Sequence, residues 1–145
     1  MRNRFVLAMI MLFALIPIAN ADGPICAPEK YTKKLKAVDL EPENARWLGV
    51  WAGGAWDGET CGSLIVWDYI KKSNPKKSYF KVYYTFGSKT RSYKGKIQDD
   101  GTLRVQFSHS NEFYASYSMH ESENAIDGSY YSGGLPTGLI NLSRQ

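Results

Sequence analysis

The side chains that could carry catalysis are few, and their spacing does not bring them together. The only two histidines are His109, which lies between two serines, and His120, which precedes Glu121. Neighbours along a strand point to opposite faces of a sheet, so these adjacencies do not form a catalytic dyad. No HExxH, GxSxG or Cys–His arrangement occurs. We therefore predict a protein that is not an enzyme, and we interpret three further carboxylates as surface groups: Asp57, Glu59 and Asp68.

Two cysteines, Cys26 and Cys61, are the next candidates for chemistry. They have no CxxC spacing and no histidine nearby, which disfavours a redox or metal role. In an oxidising compartment a lone pair of cysteines forms a disulfide. The bridge would close a loop of about 36 residues and contribute roughly 4 kcal/mol in the chain-entropy model. We expect this disulfide, with neither a metal site nor a cofactor.

Residues 71–96 carry nine basic side chains and no acidic one. One interpretation is a solvated barrel surface, since lysines on a sheet discourage association between edges. The other is a positive patch at Lys76, Lys77, Lys81 and Lys94 that docks an anionic envelope component or protein. Nucleic acid is not an expected partner of an exported chain.

The N-terminal residues have the pattern of a secretory signal. Arg2 and Arg4 precede an unbroken run of twelve apolar residues, and Ala19-Asn20-Ala21 supplies a small-x-small cleavage site. A membrane-spanning helix is disfavoured because a span needs about 20 apolar residues. We therefore predict cleavage near Ala21 and a secreted or periplasmic protein that does not span the membrane.

Three segments follow from this pattern: a signal peptide over 1–21, an arm over 22–45 and one domain over 46–145. The arm is charged and contains Pro24, Pro28 and Pro42. The predicted disulfide ties it to the domain.

Eight short bursts of aromatic and β-branched residues follow position 45, separated by Gly, Asn, Asp and Ser. This rhythm is typical of consecutive antiparallel strands. A sheet of this size with no covering helices buries its apolar face by closing on itself. We predict an all-β fold, a single antiparallel eight-stranded up-and-down barrel, with a flattened β-sandwich as the alternative. The predicted strands are Arg46–Ala52, Ser63–Ile70, Ser78–Phe86, Arg91–Gln98, Thr102–Ser108, Glu112–Met119, Ala125–Tyr131 and Thr137–Ser143.

Alternation along these strands predicts which side chains face the barrel interior. In the third strand Phe80, Val82, Tyr84 and Phe86 share one face, because side chains in a strand have a period of two. An eight-stranded barrel is either filled by such side chains or holds one small ligand. The residues predicted to line a ligand pocket are Trp51, Phe80, Val82, Tyr84, Phe86, Phe107, Tyr117 and Tyr130.

The first strand contains Gly49-Val50-Trp51, and Arg144 follows the last strand. This pattern resembles the calycins, which include lipocalins, fatty-acid-binding proteins and avidins and which open their barrels with Gly-x-Trp. In lipocalins that tryptophan closes one barrel end and a basic residue packs across it, so the resemblance implies an end plug made by Trp51 and Arg144. A cation on an indole face contributes about 1–2 kcal/mol when partly desolvated.

A second resemblance covers residues 47–143. The run from Trp47 to Gly53, an aromatic strand ending in Phe86-Gly87 and a late Asp127-Gly128-Ser129-Tyr130 are similar to small bacterial β-domains that stand alone or follow a hydrolase. The shared residues are mostly glycines and aromatics, so this resemblance implies a shape rather than an activity.

Two functions remain open at this point. The first is a binding module for a small apolar or amphipathic ligand, and the second is an interaction protein with a solid barrel that uses the basic residues of 71–96. The interior volume separates them: a cavity of roughly 300 Å³ or more favours the ligand, and a filled core favours the interaction protein.

Overall fold

A computed structural model describes Cys26 and residues 40–145. The predicted signal peptide over 1–21 lies outside the described residues, as does the 22–45 arm apart from Cys26 and residues 40–45. Within the described part no helix is long and apolar enough to cross a membrane.

The described chain is an all-β domain with very little helix. Each strand pairs antiparallel with the next, and the last strand returns to pair with the first at Trp51↔Arg144 and Ala52↔Ser143. The predicted closed eight-stranded up-and-down barrel is confirmed, and the alternative sandwich is not formed. The strands are β1 Gly49–Trp56, β2 Thr60–Ile70, β3 Tyr79–Phe86, β4 Lys89–Ile97, β5 Leu103–Gln106, β6 Tyr114–Met119, β7 Ala125–Ser132 and β8 Leu135–Arg144.

The first strand begins three residues later than predicted and continues further. A short helix, α1 (Pro42–Ala45), precedes it, and the backbone N–H of Leu48 still bonds to the carbonyl of Ala45. The predicted start at Arg46 is therefore wrong, because residues 46–48 complete the turn after α1. β1 then runs on to Trp56 and meets β2 in a tight turn.

The fifth strand ends at Gln106, two residues before the predicted boundary. The Gln106 side-chain amide donates to the carbonyls of Ser110 and Phe113, at 2.6 and 3.2 Å. These bonds stabilise the irregular loop that joins β5 to β6, so the chain leaves the ladder early.

The core follows the predicted alternation of side chains. Interior residues of successive strands form one apolar cluster, while the opposite faces carry mostly polar side chains. Besides tryptophans and tyrosines, the buried members of this cluster are Leu64, Val66, Phe80, Val82, Leu103, Val105, Ala115, Ile126, Ile140 and Leu142.

The up-and-down topology sorts the connections onto two ends of the barrel. We call one the open end; it carries the turns around residues 57–59, 87–88, 107–113 and 133–134. We call the other the closed end; it carries α1, the C-terminus and the connections over 71–78, 98–102 and 120–124. The β2–β3 connection includes a 3-10 helix, η1 (Pro75–Lys77).

Candidate ligand-binding site

Arg144 and Trp51 seal the closed end. The guanidinium carbon of Arg144 lies 4.1 Å from the centre of a Trp51 ring, and Trp51 is fully buried. The indole N–H of Trp51 donates to the carbonyl of Trp47 at 3.1 Å. The guanidinium donates to the carbonyls of Glu123, Leu48 and Arg46 at 3.0, 2.9 and 2.6 Å, so cation and ring are both held in place.

Gly49 makes room for this plug. Its φ is +149°, and a Cβ at this position would lie 2.9 Å from Nη1 of Arg144. A side chain would push the guanidinium away from its carbonyl partners, so the glycine of Gly49-x-Trp51 has a direct steric reason. Burial lowers the pKa of Arg144, and the charge of Glu123 acts in the opposite direction.

Four of the residues predicted to line a pocket lie instead in the filled part of the barrel. Trp51, Phe80, Val82 and Tyr117 are each at most 1 % exposed, and none lines the cavity described below. Large interior side chains close the barrel at this level, as the small radius of an eight-stranded barrel allows.

The other four predicted residues, Tyr84, Phe86, Phe107 and Tyr130, line a cavity of about 440 Å³ at the open end. We call it the aromatic cavity. Sequence analysis missed six further residues that line it: Trp56, Asp57, Glu59, Thr60, Tyr93 and Thr137.

Trp56 reaches the interior because β1 contains a bulge. Trp51 pairs with Leu64 and Gly54 with Gly62, so β1 advances three residues while β2 advances two. Five residues separate Trp51 from Trp56, an odd spacing that puts the two side chains on opposite faces of a regular strand. The extra residue restores Trp56 to the inside, and the Gly53-Gly54 pair was the signal available in the sequence.

Phe107 is the centre of the ring network around the cavity. Its ring centroid lies 4.8 Å from that of Tyr84, 4.9 Å from that of Tyr93 and 5.7 Å from that of Tyr130. Trp56 lies 6.2 Å from Tyr130 and 6.3 Å from Tyr84. None of these pairs is a parallel stack, and tilted or edge-on contacts suit the quadrupoles of the rings.

The buried tyrosines near the cavity stay neutral. Burial raises the pKa of Tyr84 above its usual value, and the neighbouring Tyr130 adds to the effect. Burial likewise raises the pKa of Tyr117, whose hydroxyl has no hydrogen-bond partner among the described residues. The nearby indole N–H of Trp56 acts in the opposite direction and lowers the pKa of Tyr84, although it has no hydrogen-bond partner among the described residues.

Charges of both signs lie at the open end, but they line different hollows. Asp57 and Glu59, in the β1–β2 turn, line the aromatic cavity itself. Lys89 and Arg91 line a neighbouring hollow of about 180 Å³ together with Tyr84, Phe86 and Tyr93, which the two hollows share.

The predicted basic patch is split between the outer wall and the closed end. Lys81 and Lys94 are direct cross-strand partners on β3 and β4. Each ammonium lies over an aromatic ring, Lys81 at 5.2 Å from Trp67 and Lys94 at 4.8 Å from Tyr79. Lys76 and Lys77 belong to η1 at the closed end, where the ammonium of Lys96 donates to the carbonyl of Lys76.

His120 has a carboxylate partner that its sequence neighbours did not indicate. Its Nε2 lies 2.7 Å from Oδ2 of Asp127, and the side-chain amide of Asn141 donates to the other oxygen of that carboxylate. The bond from Asn141 is the main reason that the pKa of Asp127 is lowered. This cluster is exposed on the outer wall, away from the aromatic cavity. Among the described residues no group of three or more His, Cys, Asp or Glu side chains is placed to hold a metal ion.

The predicted disulfide between Cys26 and Cys61 is confirmed. It joins the arm to β2, next to the open end. Such a bridge is typical of proteins that fold in an oxidising compartment.

Comparison of the chain with protein-family models, curated proteins and solved structures found no match. In general shape the closed eight-stranded antiparallel barrel is like a calycin barrel.

Proposed function

We propose that this protein is an exported binding module that holds a small apolar or amphipathic ligand in the aromatic cavity. The observation that carries the proposal is the cavity itself: about 440 Å³, lined by aromatic rings and a few polar groups. Typical small-molecule sites are concave, mostly apolar and roughly 300–1,000 Å³ in volume.

Rigidity of the lining supports the same function. The rings of Phe107, Tyr84, Tyr93 and Tyr130 pack against one another and so hold the cavity walls in place. A preformed pocket loses little conformational entropy when a ligand enters, so more of the burial free energy appears as affinity.

The proposal includes the calycin relationship and export through the predicted signal peptide. The Gly49-x-Trp51 motif with Arg144 across it supports the former, since these residues form the plug that the resemblance implied. The Cys26–Cys61 disulfide supports the latter.

The test combines identification of a natural ligand with a blocked cavity. Native mass spectrometry of protein purified from its own host is expected to reveal a bound small molecule. Thr137 lies exposed on the cavity lining, so Thr137→Trp is expected to fill the cavity and abolish both this adduct and calorimetric binding of naphthylmethanol. Ser92→Trp, on the exposed outer face of β4, is the matched control. Equal binding to both variants would contradict the proposal, as would the absence of any adduct together with no binding of naphthylmethanol to the unmodified protein.

A second candidate function is docking of an anionic envelope component or protein through Lys76, Lys77, Lys81 and Lys94. The observation that favours it is the direct pairing of Lys81 with Lys94 across β3 and β4. Like charges in opposite positions destabilise a sheet, and an anionic partner would offset that cost.

Charge reversal tests this second candidate. Replacing all four lysines with Glu is expected to abolish binding to vesicles of equimolar phosphatidylglycerol and phosphatidylcholine, and added salt is expected to weaken binding of the unmodified protein. Reversal of Lys89 and Arg91, which lie at the open end, is the control. Unchanged vesicle binding by the fourfold variant, or equal loss in the control, would exclude a site formed by these four lysines.

A further inference from the structure

We infer that the aromatic cavity selects ligands that carry an organic ammonium group. This inference rests on the proposed ligand-binding function and specifies its ligand class. The ammonium would sit between the carboxylates of the β1–β2 turn and the surrounding ring faces, with the apolar part of the ligand against the deeper rings.

The charges on the lining all have one sign. Asp57 and Glu59 are the charged side chains among the described residues that line the cavity, and neither forms an ion pair within the described part of the chain. A positive charge on a ligand gains Coulomb energy here, and because both carboxylates are exposed, water and salt screen part of that energy.

Asp57 is held in position by β8. Its backbone N–H donates to the carbonyl of Leu139 at 2.8 Å, and its Oδ1 accepts from the N–H of Leu139 at 2.9 Å. The other oxygen, Oδ2, lies near Gly138 and has no hydrogen-bond partner among the described residues. Because Leu139 holds the other side of the carboxylate, this free oxygen is positioned to accept a hydrogen bond from an ammonium.

The aromatic lining favours a cation for an independent reason. Six rings line the cavity, those of Trp56, Tyr84, Phe86, Tyr93, Phe107 and Tyr130. The face of an aromatic ring is the negative end of its quadrupole, and a cation over such a face gains about 0.5–2 kcal/mol depending on desolvation. Aromatic cages are a known way to recognise quaternary ammonium groups, and the same attraction acts on a primary ammonium.

The neighbouring cations limit where the ammonium can lie. Lys89 and Arg91 line the neighbouring hollow with Tyr84 and Phe86 and would repel a positive group placed there. The favourable position is therefore the half of the rim formed by Asp57 and Glu59. A longer ligand could place an acidic group in the hollow, but the cavity itself is complementary to the ammonium.

Three probes with one apolar body separate this inference from the proposed function. Naphthylmethylammonium, naphthylmethanol and naphthoate share a bicyclic ring and differ in the charge of the head group. Calorimetric titration at low salt is expected to give at least about tenfold tighter binding for the ammonium than for the alcohol, equivalent to roughly 1.4 kcal/mol. Naphthoate is expected to bind most weakly.

A variant without the two negative charges tests whether Asp57 and Glu59 cause the preference for the ammonium. The double variant Asp57→Asn, Glu59→Gln keeps the side-chain oxygen that accepts from Leu139. It is expected to lose most of the preference for the ammonium, while its affinity for the alcohol stays within about twofold of that of the unmodified protein. Asp99→Asn, in the exposed β4–β5 turn at the closed end, removes one negative charge from the opposite end of the barrel and is expected to change neither affinity. Circular dichroism and a thermal midpoint confirm that each variant is folded.

The outcomes distinguish the two claims. Equal binding of all three probes, or tightest binding of naphthoate, would overturn the ammonium preference while leaving the ligand-binding function intact. No binding of any probe would count against both. A preference for the ammonium that persists in the double variant would overturn the role of Asp57 and Glu59.

Discussion

The two ends of the barrel each contain a tryptophan from β1, but the two indoles have different surroundings. At the closed end Trp51 is covered by Arg144, and its N–H has an acceptor. At the open end Trp56 borders a cavity, and its N–H has no hydrogen-bond partner among the described residues. One end therefore uses its tryptophan to complete the fold, whereas at the other end the tryptophan forms part of a cavity wall.

The polar groups at the two ends lead to the same conclusion. The guanidinium of Arg144 meets three backbone carbonyls, so its burial is offset by charge-assisted hydrogen bonds. At the open end Oδ2 of Asp57 has no described partner. We therefore expect substitutions at the closed end to act on stability and substitutions at the open end to act on binding.

The largest expected effect is that of Trp51→Ala. Removing a fully buried indole leaves a void and deprives Arg144 of its ring, so the free energy of unfolding is expected to fall by about 4 kcal/mol. Urea unfolding followed by circular dichroism measures this. A loss below about 1 kcal/mol would show that the closed end does not stabilise the fold as described.

Arg144→Ala is expected to have the next largest effect, a fall of about 3 kcal/mol in the free energy of unfolding. The substitution removes three hydrogen bonds from a charged donor and exposes Trp51. Arg144→Lys keeps the charge but not the planar fork, and it is expected to recover less than half of that loss. The same unfolding measurement applies, with probe affinity at the open end as the control. A change in naphthylmethanol affinity would contradict the assignment of stability to the closed end and of binding to the open end.

Phe107→Ala is expected to weaken ligand binding more than it lowers stability. The ring is only partly buried and faces the cavity, so the free energy of unfolding is expected to fall by about 1–2 kcal/mol. Loss of the central ring of the network is expected to weaken naphthylmethanol binding by about tenfold or more. Unchanged affinity in calorimetry would remove the open end from the proposed site.

The smallest effect on stability is expected from ionisation of the Tyr84 phenol, which occurs only at alkaline pH. Because burial raises the pKa of Tyr84, the unfolded chain releases this proton first, near pH 10. The contribution of Tyr84 to stability is therefore complete below about pH 10 and is lost as the pH rises through the pKa of the folded state. Ultraviolet titration is expected to show a delayed tyrosine component that Tyr84→Phe reduces. A single transition near pH 10 for all tyrosines would contradict the burial of this phenol.

The barrel and the plug could be predicted from the sequence because both depend on local patterns. Alternation in residues 78–86 and 102–108 identified the inward side chains, and Gly49-x-Trp51 with Arg144 identified one end. The position of the cavity could not be predicted, because alternation is the same for Phe80, in the filled core, and for Tyr84, beside the cavity. Which of the two borders empty space depends on how neighbouring strands fill the interior.

Trp56 shows a second reason why part of the site was missed. A period-two pattern gives the correct face only while the pairing is regular, and the bulge at Gly53-Gly54 reverses the face of every later residue in β1. The turn that follows, with φ of +49° at Asp57 and +74° at Gly58, then brings Asp57 and Glu59 to the rim. Asp57 and Glu59 are exposed, as predicted, but their place on the cavity rim was not predicted. Asp68 was also interpreted as a surface group, and that prediction is wrong because the residue is buried in β2.

The most direct test of the central claim compares the two tryptophans in one experiment. In protein with ¹⁵N-labelled indoles, titration with naphthylmethanol is expected to shift the Nε1–H resonance of Trp56 and to leave that of Trp51 unchanged. Assignment by Trp56→Phe and Trp51→Phe variants identifies the two signals. Equal shifts at both indoles, or no shift at Trp56 at saturating probe, would contradict the account of one closed end and one ligand-binding end.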